Sequence, residues 1–174
     1  DPEGGLAFIA QTQPPLELVR AWILQRTGRP AEALAIYRKV EPGLFVQPKP
    51  QVYPGQAGNA ILAGIALLKT GAKPQGQALL EAVIAALANR PYAAVIAGRG
   101  WLEFYAYAQL GQKDRAFTAL QDGVNDGYFL SLPELDSDPL LAEFRKDPRY
   151  QQILAPARAK AAAQVAAARA AGLL

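Results

Sequence analysis

Gly71 and Gly76 have the spacing of a phosphate-binding loop. Gln77 and Ala78, however, stand where such a loop needs Lys and Ser or Thr, and no strand pattern precedes them. Gly98 and Gly100 lack the third glycine and the leading strand of a dinucleotide fingerprint. Both pairs read as helix boundaries. Glu134, Asp136 and Asp138 alternate like the start of a calcium loop, but Pro139 replaces the glycine that loop requires and Arg145 stands where its bidentate Glu belongs. A turn in which Asp138 caps the next helix accounts for the same residues. Ser131 and Ser137 are the only serines, and the chain has no His to activate them.

The sequence also has no Cys and no Met. Together with the missing His, this excludes thiolate chemistry, imidazole base catalysis and the Cys/His zinc frameworks. A carboxylate pair of the glycosidase kind is left open by sequence, because separation in space is not visible there, yet nothing points to one. The residues therefore predict a protein that is not an enzyme and has no cofactor or metal. The absence of Cys is compatible with a bacterial periplasm and equally with a cytoplasm. Without Met, the sequence reads as a fragment or a processed chain, with any leader or anchor expected upstream of Asp1.

Whatever these residues do, helices must position them. With 174 residues, 51% hydrophobic and 19% charged, the chain can bury one sizeable core without staples. Eighteen basic residues against 15 acidic give a net charge of +3, no nucleic-acid footprint. The longest strongly apolar uncharged run, Ala60 to Leu68, is far shorter than the ~20 residues of a membrane span. Leu16, Val19, Ile23 and Leu24 recur at helical spacing after Pro14-Pro15, and Gly28 stops them. Pro30 suits the first turn of a second helix, running through Ala33, Leu34, Ile36, Tyr37 and Val40. Four prolines and two glycines in residues 42–55 predict an inserted, extended loop. Two further hairpins are expected, with helices at 57–70 and 74–89 about Gly71, and at 92–110 and 112–125 about Gly111. Asp138-Pro139 and Asp147-Pro148 each place a capping carboxylate before a first-turn proline. The alanine-rich last helix should kink or break at Pro156. No β pattern competes.

The hairpins repeat in detail. Five residues after Gly28, Gly71 and Gly111 come Ala33, Gly76 and Ala116, and four later Tyr37, Leu80 and Leu120. Upstream, Ala21 and Gly64 precede Leu24 and Leu67 by three, while the third hairpin has Phe104 before Tyr107. This resembles the tetratricopeptide repeat, whose small residue lets two helices approach and whose large residue fills the gap. The glycines lie 43 and 40 residues apart, longer than that repeat's period of about 34, as longer loops would make them. The segment "LPELDSDPLLAEFRKDPRYQQIL" with its alanine-rich tail resembles the stretch closing such repeats in multidomain bacterial regulators, including some adenylate cyclases and winged-helix transcription factors. The resemblance implies an all-α, TPR-like solenoid of about three repeats. It divides into an extended segment (1–13), three degenerate hairpins (14–126, with loop 42–55) and C-terminal capping helices (127–174).

In that family the first helix of each hairpin lines a concave groove that holds a partner. The resemblance assigns to it Leu18, Trp22, Gln25 and Arg26 in the first hairpin. Ile61, Ile65, Leu68 and Lys69 follow in the second, and Trp101, Tyr105, Ala108 and Gln109 in the third. It implies a protein or peptide partner within a larger regulatory or envelope protein, with a small-molecule sensor as the alternative. Arg26 and Lys69 could meet a carboxylate terminus. A second reading stays open, in which Trp22, Ile61, Ile65 and Trp101 are ordinary core. The terminal helices or loop 42–55 could also cover the groove, and solenoid faces allow a homodimer.

Overall fold

Three glycines set the path of the chain. Gly28, Gly71 and Gly111 adopt φ of 81°, 90° and 72°, the left-handed region that glycine enters without steric penalty. Each carries the same pair of closing bonds. The N–H after the glycine donates to a carbonyl five residues back (Arg29 to Leu24, 2.8 Å; Ala72 to Leu67, 2.9 Å; Gln112 to Tyr107, 3.0 Å). The glycine N–H itself donates three residues back, to Gln25, Leu68 and Ala108. This is the Schellman closure, which satisfies carbonyls that a helix end leaves orphaned.

The computed structural model describes residues 3–6, 16–88, 98–126 and 132–173, with Glu134 described by its backbone alone. Its regular elements are all helical, with no strand among the described residues, so the fold class is all-α. Around the three glycines lie α1 (Glu17–Arg26) and α2 (Pro30–Val40), α3 (Ala57–Lys69) and α4 (Lys73–Ala88), and α5 (Arg99–Gln109) and α6 (Lys113–Asn125). Helices pair within each hairpin, α2 packs on α3 and α4 on α5, and α3 also touches both α1 and α5. The first helices thus stand side by side, with α3 in the middle.

The small-to-large spacing is the packing of each hairpin. Ala33, Gly76 and Ala116 are buried, and Tyr37, Leu80 and Leu120 are sealed from solvent beneath them. In the second hairpin, a Cβ on Gly76 would stand 2.9 Å from the Gly64 carbonyl oxygen, so the α3–α4 crossing depends on the missing side chain. Burial pushes the Tyr37 phenol above its ordinary pKa, with Glu41 adding to the effect. Its hydroxyl has no hydrogen-bond partner among the described residues. Since an unpartnered buried hydroxyl costs stability, Tyr37→Phe is expected to unfold at the same urea concentration as the native chain or a higher one. A midpoint lowered by 0.5 M or more, roughly 1 kcal/mol at ordinary slopes, would show that the hydroxyl is bonded.

Pro30 opens α2 as its first residue. The proline-rich connection after α2 holds one-turn helices at Pro42–Phe45 and Pro54–Gln56, and Leu44 and Pro50 are buried, which docks it to the core. The long third-hairpin helix expected from residue 92 is corrected. Gly98 has φ 58°, and α5 begins only at Arg99; residues 89–97 lie outside the described set, as do the first-helix prolines Pro14 and Pro15.

Beyond α6 come α7 (Leu132–Ser137), a turn at Pro139–Leu141, α8 (Ala142–Arg145) and α9 (Pro148–Ala170). Both Asp-Pro caps form: Asp138 Oδ1 accepts from the Leu140 N–H at 2.8 Å, and Asp147 Oδ1 from the Arg149 N–H at 3.0 Å. Arg149 and Lys113 also hold the Asp147 carboxyl well below the usual carboxylate range. The break expected at Pro156 is absent, and α9 runs unbroken through it. Pro156 and Gln152, whose carbonyl loses its helical donor, both face solvent, so water can replace the bond. α9 docks on α6 through its first half, where Tyr150, Leu154 and Ala157 are buried, while Val165 and Leu173 are exposed. The Tyr150 hydroxyl donates to the Leu135 carbonyl at 3.1 Å, and its pKa is pushed up to about 12, chiefly by burial.

The buried side chains form two clusters. One fills the first two hairpins and reaches Ala106; the other joins Trp101, Phe104 and Leu120 to Leu135, Leu141, Tyr150 and Leu154. Tyr105 packs against both. Among the described residues, no helix is long and apolar enough to cross a membrane.

Candidate functional site

Because α1, α3 and α5 stand side by side, residues one turn apart on each converge on a common face. There they line a cavity of about 490 Å³. α1 supplies Trp22, Gln25 and Arg26, at i, i+3 and i+4. α3 supplies Asn59, Ile61, Leu62 and Lys69, and α5 supplies Trp101, Leu102 and Tyr105. The far wall is Asp138, Pro139 and Leu140, from the turn after α7. The cavity lies between the two core clusters, since Ile61 belongs to the first, Trp101 to the second, and Tyr105 packs on both.

That far wall is held by one carboxylate. Asp138 is 4% exposed, its Oδ1 caps the Pro139–Leu141 turn, and its Oδ2 accepts from the Tyr105 hydroxyl at 2.9 Å. Arg26 Nη1 lies 3.6 Å from the same Oδ2. The Arg26 guanidinium also sits 5.2 Å from the centre of the Trp22 ring, a cation–π distance. Arg145 closes the turn from behind, donating to the carbonyls of Leu135 (3.0 Å) and Asp138 (2.6 Å). Asn59 donates to Glu41 at 3.0 Å. Lys69 is exposed at the rim, and no ion pair holds it among the described residues. Gln25 differs from all of these. It is 3% exposed, and neither Nε2 nor Oε1 has a hydrogen-bond partner among the described residues.

No family model, no curated protein and no solved structure matches this chain. The chemistry of the cavity has to be taken from its own residues.

Of the residues assigned to a groove, Trp22, Gln25, Arg26, Ile61, Lys69, Trp101 and Tyr105 come together here. Ile65 does not: it is 1% exposed, inside the first core. The physical reason is the central position of α3, which has neighbours on nearly every side and buries Ala60, Ala63, Gly64, Ala66 and Leu67 as well. Leu18 and Leu68 pack half-buried against that core, Ala108 packs against the second, and Gln109 is half-buried away from the cavity. The two tryptophans differ in burial. Trp101 is core and wall at once at 4% exposed, while Trp22 stands 37% exposed at the edge.

Asn59, Leu62, Leu102 and the Asp138–Leu140 wall were not foreseen. Leu62 lies seven residues before Lys69 on the same helical face and could have been found by following that stripe two turns back. For Asp138 the sequence shows only a cap, and its bond to Tyr105 spans 33 residues of chain. Neither the 42–55 loop nor α9 lines the cavity. Of the supposed calcium-loop carboxylates, Asp136 pairs with Arg158 and Asp138 is engaged as described; the Glu134 side chain lies outside the described set.

Proposed function

We propose that this chain is a non-catalytic binding module, a TPR-like solenoid of three hairpins closed by C-terminal helices, whose binding centre is the cavity between Trp22 and Trp101. One observation carries the reading: ten side chains from the first helices of three successive hairpins converge on a single cavity of about 490 Å³. That lies within the ~300–1,000 Å³ of small-molecule sites, and its walls of aromatic and aliphatic side chains with a few convergent polar groups have the usual composition of such sites. The threefold Schellman closure and the small-to-large packing support the TPR-like arrangement. Among the described residues the one carboxylate on the lining is Asp138, and it is committed to Tyr105, Arg26 and its own turn, which favours binding over acid–base chemistry.

The wall of Asp138–Leu140 bears on what is bound. A groove open along its length suits an extended peptide, whereas one closed by the chain's own C-terminal segment suits a compact ligand. The sensor form of the module is therefore favoured over a scaffold for long peptides. The resemblance of the C-terminal segment to those of bacterial regulators supports a place beside an output domain, which would read the change in this wall.

Equilibrium dialysis against a small-molecule extract of the source cells, read by mass spectrometry, tests this. A compound retained by the native chain, lost with Trp22→Ala and recovered with its mass unchanged is the expected result. Trp22 is exposed enough that its removal should leave the fold intact, which circular dichroism checks. Retention untouched by Trp22→Ala would put the binding centre elsewhere, and conversion of the compound would make the chain an enzyme.

A further inference from the structure

The geometry points to a ligand that presents a neutral amide edge, on a flat apolar body, to Gln25. This rests on the cavity being the binding centre and specifies what it selects. Gln25 is the anomaly of the site: its side chain is 97% buried against the cavity, and both its amide donor and its acceptor lack partners among the described residues. Every other polar side chain described there is either paired or exposed at the rim. A buried amide with nothing to bond weakens the fold, whereas an occupant that bonds it removes the penalty on binding. Three side-chain torsions let the amide turn to meet such an occupant.

The chemistry of the occupant follows from what a carboxamide offers, an N–H donor beside a carbonyl acceptor. Another amide edge, in a primary carboxamide or a lactam, meets both at once through two parallel N–H···O bonds. A carboxylate can meet only Nε2 and sets its charge against Oε1. The cations do not reverse this preference. Arg26 already faces Asp138 at 3.6 Å, and Lys69 stands exposed at the rim, where solvent screens it. A tertiary amide keeps the acceptor but has no N–H to give. The body of the ligand lies among Trp22, Trp101, Leu102 and Leu140, and flat apolar groups stack well on indole faces.

Calorimetric titration of the full chain with 2-naphthamide, 2-naphthoate and N,N-dimethyl-2-naphthamide separates these chemistries. The native protein is expected to bind the primary amide at least tenfold more tightly than either of the others. Gln25→Met, close in length and without the amide, is expected to bind all three within about threefold of one another and to melt at a higher temperature than the native chain. Equal affinities in the native protein, or a preference for the carboxylate, would overturn the amide inference while leaving the cavity as a binding centre. No binding of any probe, alongside a cavity ligand found by dialysis, would overturn it too. Loss of all binding in Trp22→Ala tests the cavity itself, so the two failures are told apart. Should Gln25→Met not fold, the ranking of the three probes on the native chain decides alone.

Discussion

Gly100→Ala is expected to destabilise the protein by about 3 kcal/mol, the upper end of what overpacking costs. A Cβ at this position would stand 2.4 Å from the Gly123 nitrogen and 2.6 Å from both the Ala119 oxygen and the Gly123 Cα. All three are backbone atoms of α6, so no side chain can swing aside, and the two helices must part to admit the methyl group. Phe104 and Leu120, fully buried in the second core, would lose contact as they did so. Gly123→Ala makes the control. Its Cβ would come no nearer than 3.4 Å to Gly100 and Trp101, so any packing cost should be offset by a helix-propensity gain of about 1 kcal/mol, and a net change within about 1 kcal/mol of zero is expected. Urea unfolding followed by circular dichroism compares them. Equal midpoints for the two variants would mean that the helices do not cross at Gly100. Because Trp101 is the next residue, Gly100→Ala should also impair binding in the cavity.

The second large effect is expected at Asp138. Alanine there removes a helix cap worth about 0.5–2 kcal/mol. It also takes from Tyr105 and Arg26 the acceptor they share, for a loss of about 1–3 kcal/mol. A total of about 3 kcal/mol is expected, together with weaker ligand binding, since Pro139 and Leu140 depend on this anchor for their place in the wall. Asp138→Asn keeps one acceptor oxygen for the cap but puts an NH2 where Oδ2 accepts from the tyrosine, and it gives up the charge facing Arg26, so about 1–2 kcal/mol is expected. Thermal melts of both variants and calorimetry with one cavity ligand measure this. An Asp138→Ala protein as stable as the native chain would show that the wall is held by its apolar contacts alone.

Much of the fold was legible because its determinants are local. Gly28, Gly71 and Gly111 sit at positions that need a left-handed residue, and each is followed at fixed distance by the small and large residues that pack its hairpin. The Asp-Pro pairs were legible for the same reason, since a cap and its proline lie within three residues. Pro156 misled because a proline on a solvent-facing turn loses a bond that water restores, and sequence shows the proline without its surroundings. Gly100 was legible only in part: with Gly98 it marks the start of α5, as read, yet its close approach to the backbone of α6 leaves no mark on the spacing of either helix. At the candidate site, the two tryptophans, Gln25 and Arg26, assigned by the resemblance, all line the cavity. Ile65, assigned in the same way, is core, the other reading the sequence left open, because a position in a repeat does not tell how many neighbours its helix has. The Asp138 wall was illegible: only the folded chain brings it to Tyr105.

Trp22 and Trp101 are the only tryptophans in the chain, and both line one cavity. The indole fluorescence of the whole protein therefore originates at this one place. The two emitters differ in setting, Trp101 at 4% exposed and Trp22 at 37% with a guanidinium over its ring. The first should emit at shorter wavelength and resist collisional quenchers, and the second should emit further to the red and be quenched readily. An occupant displaces water from the second, whereas the first is shielded from water with or without it. The protein thus carries its own optical gauge of occupancy, with one arm to report and the other to serve as reference.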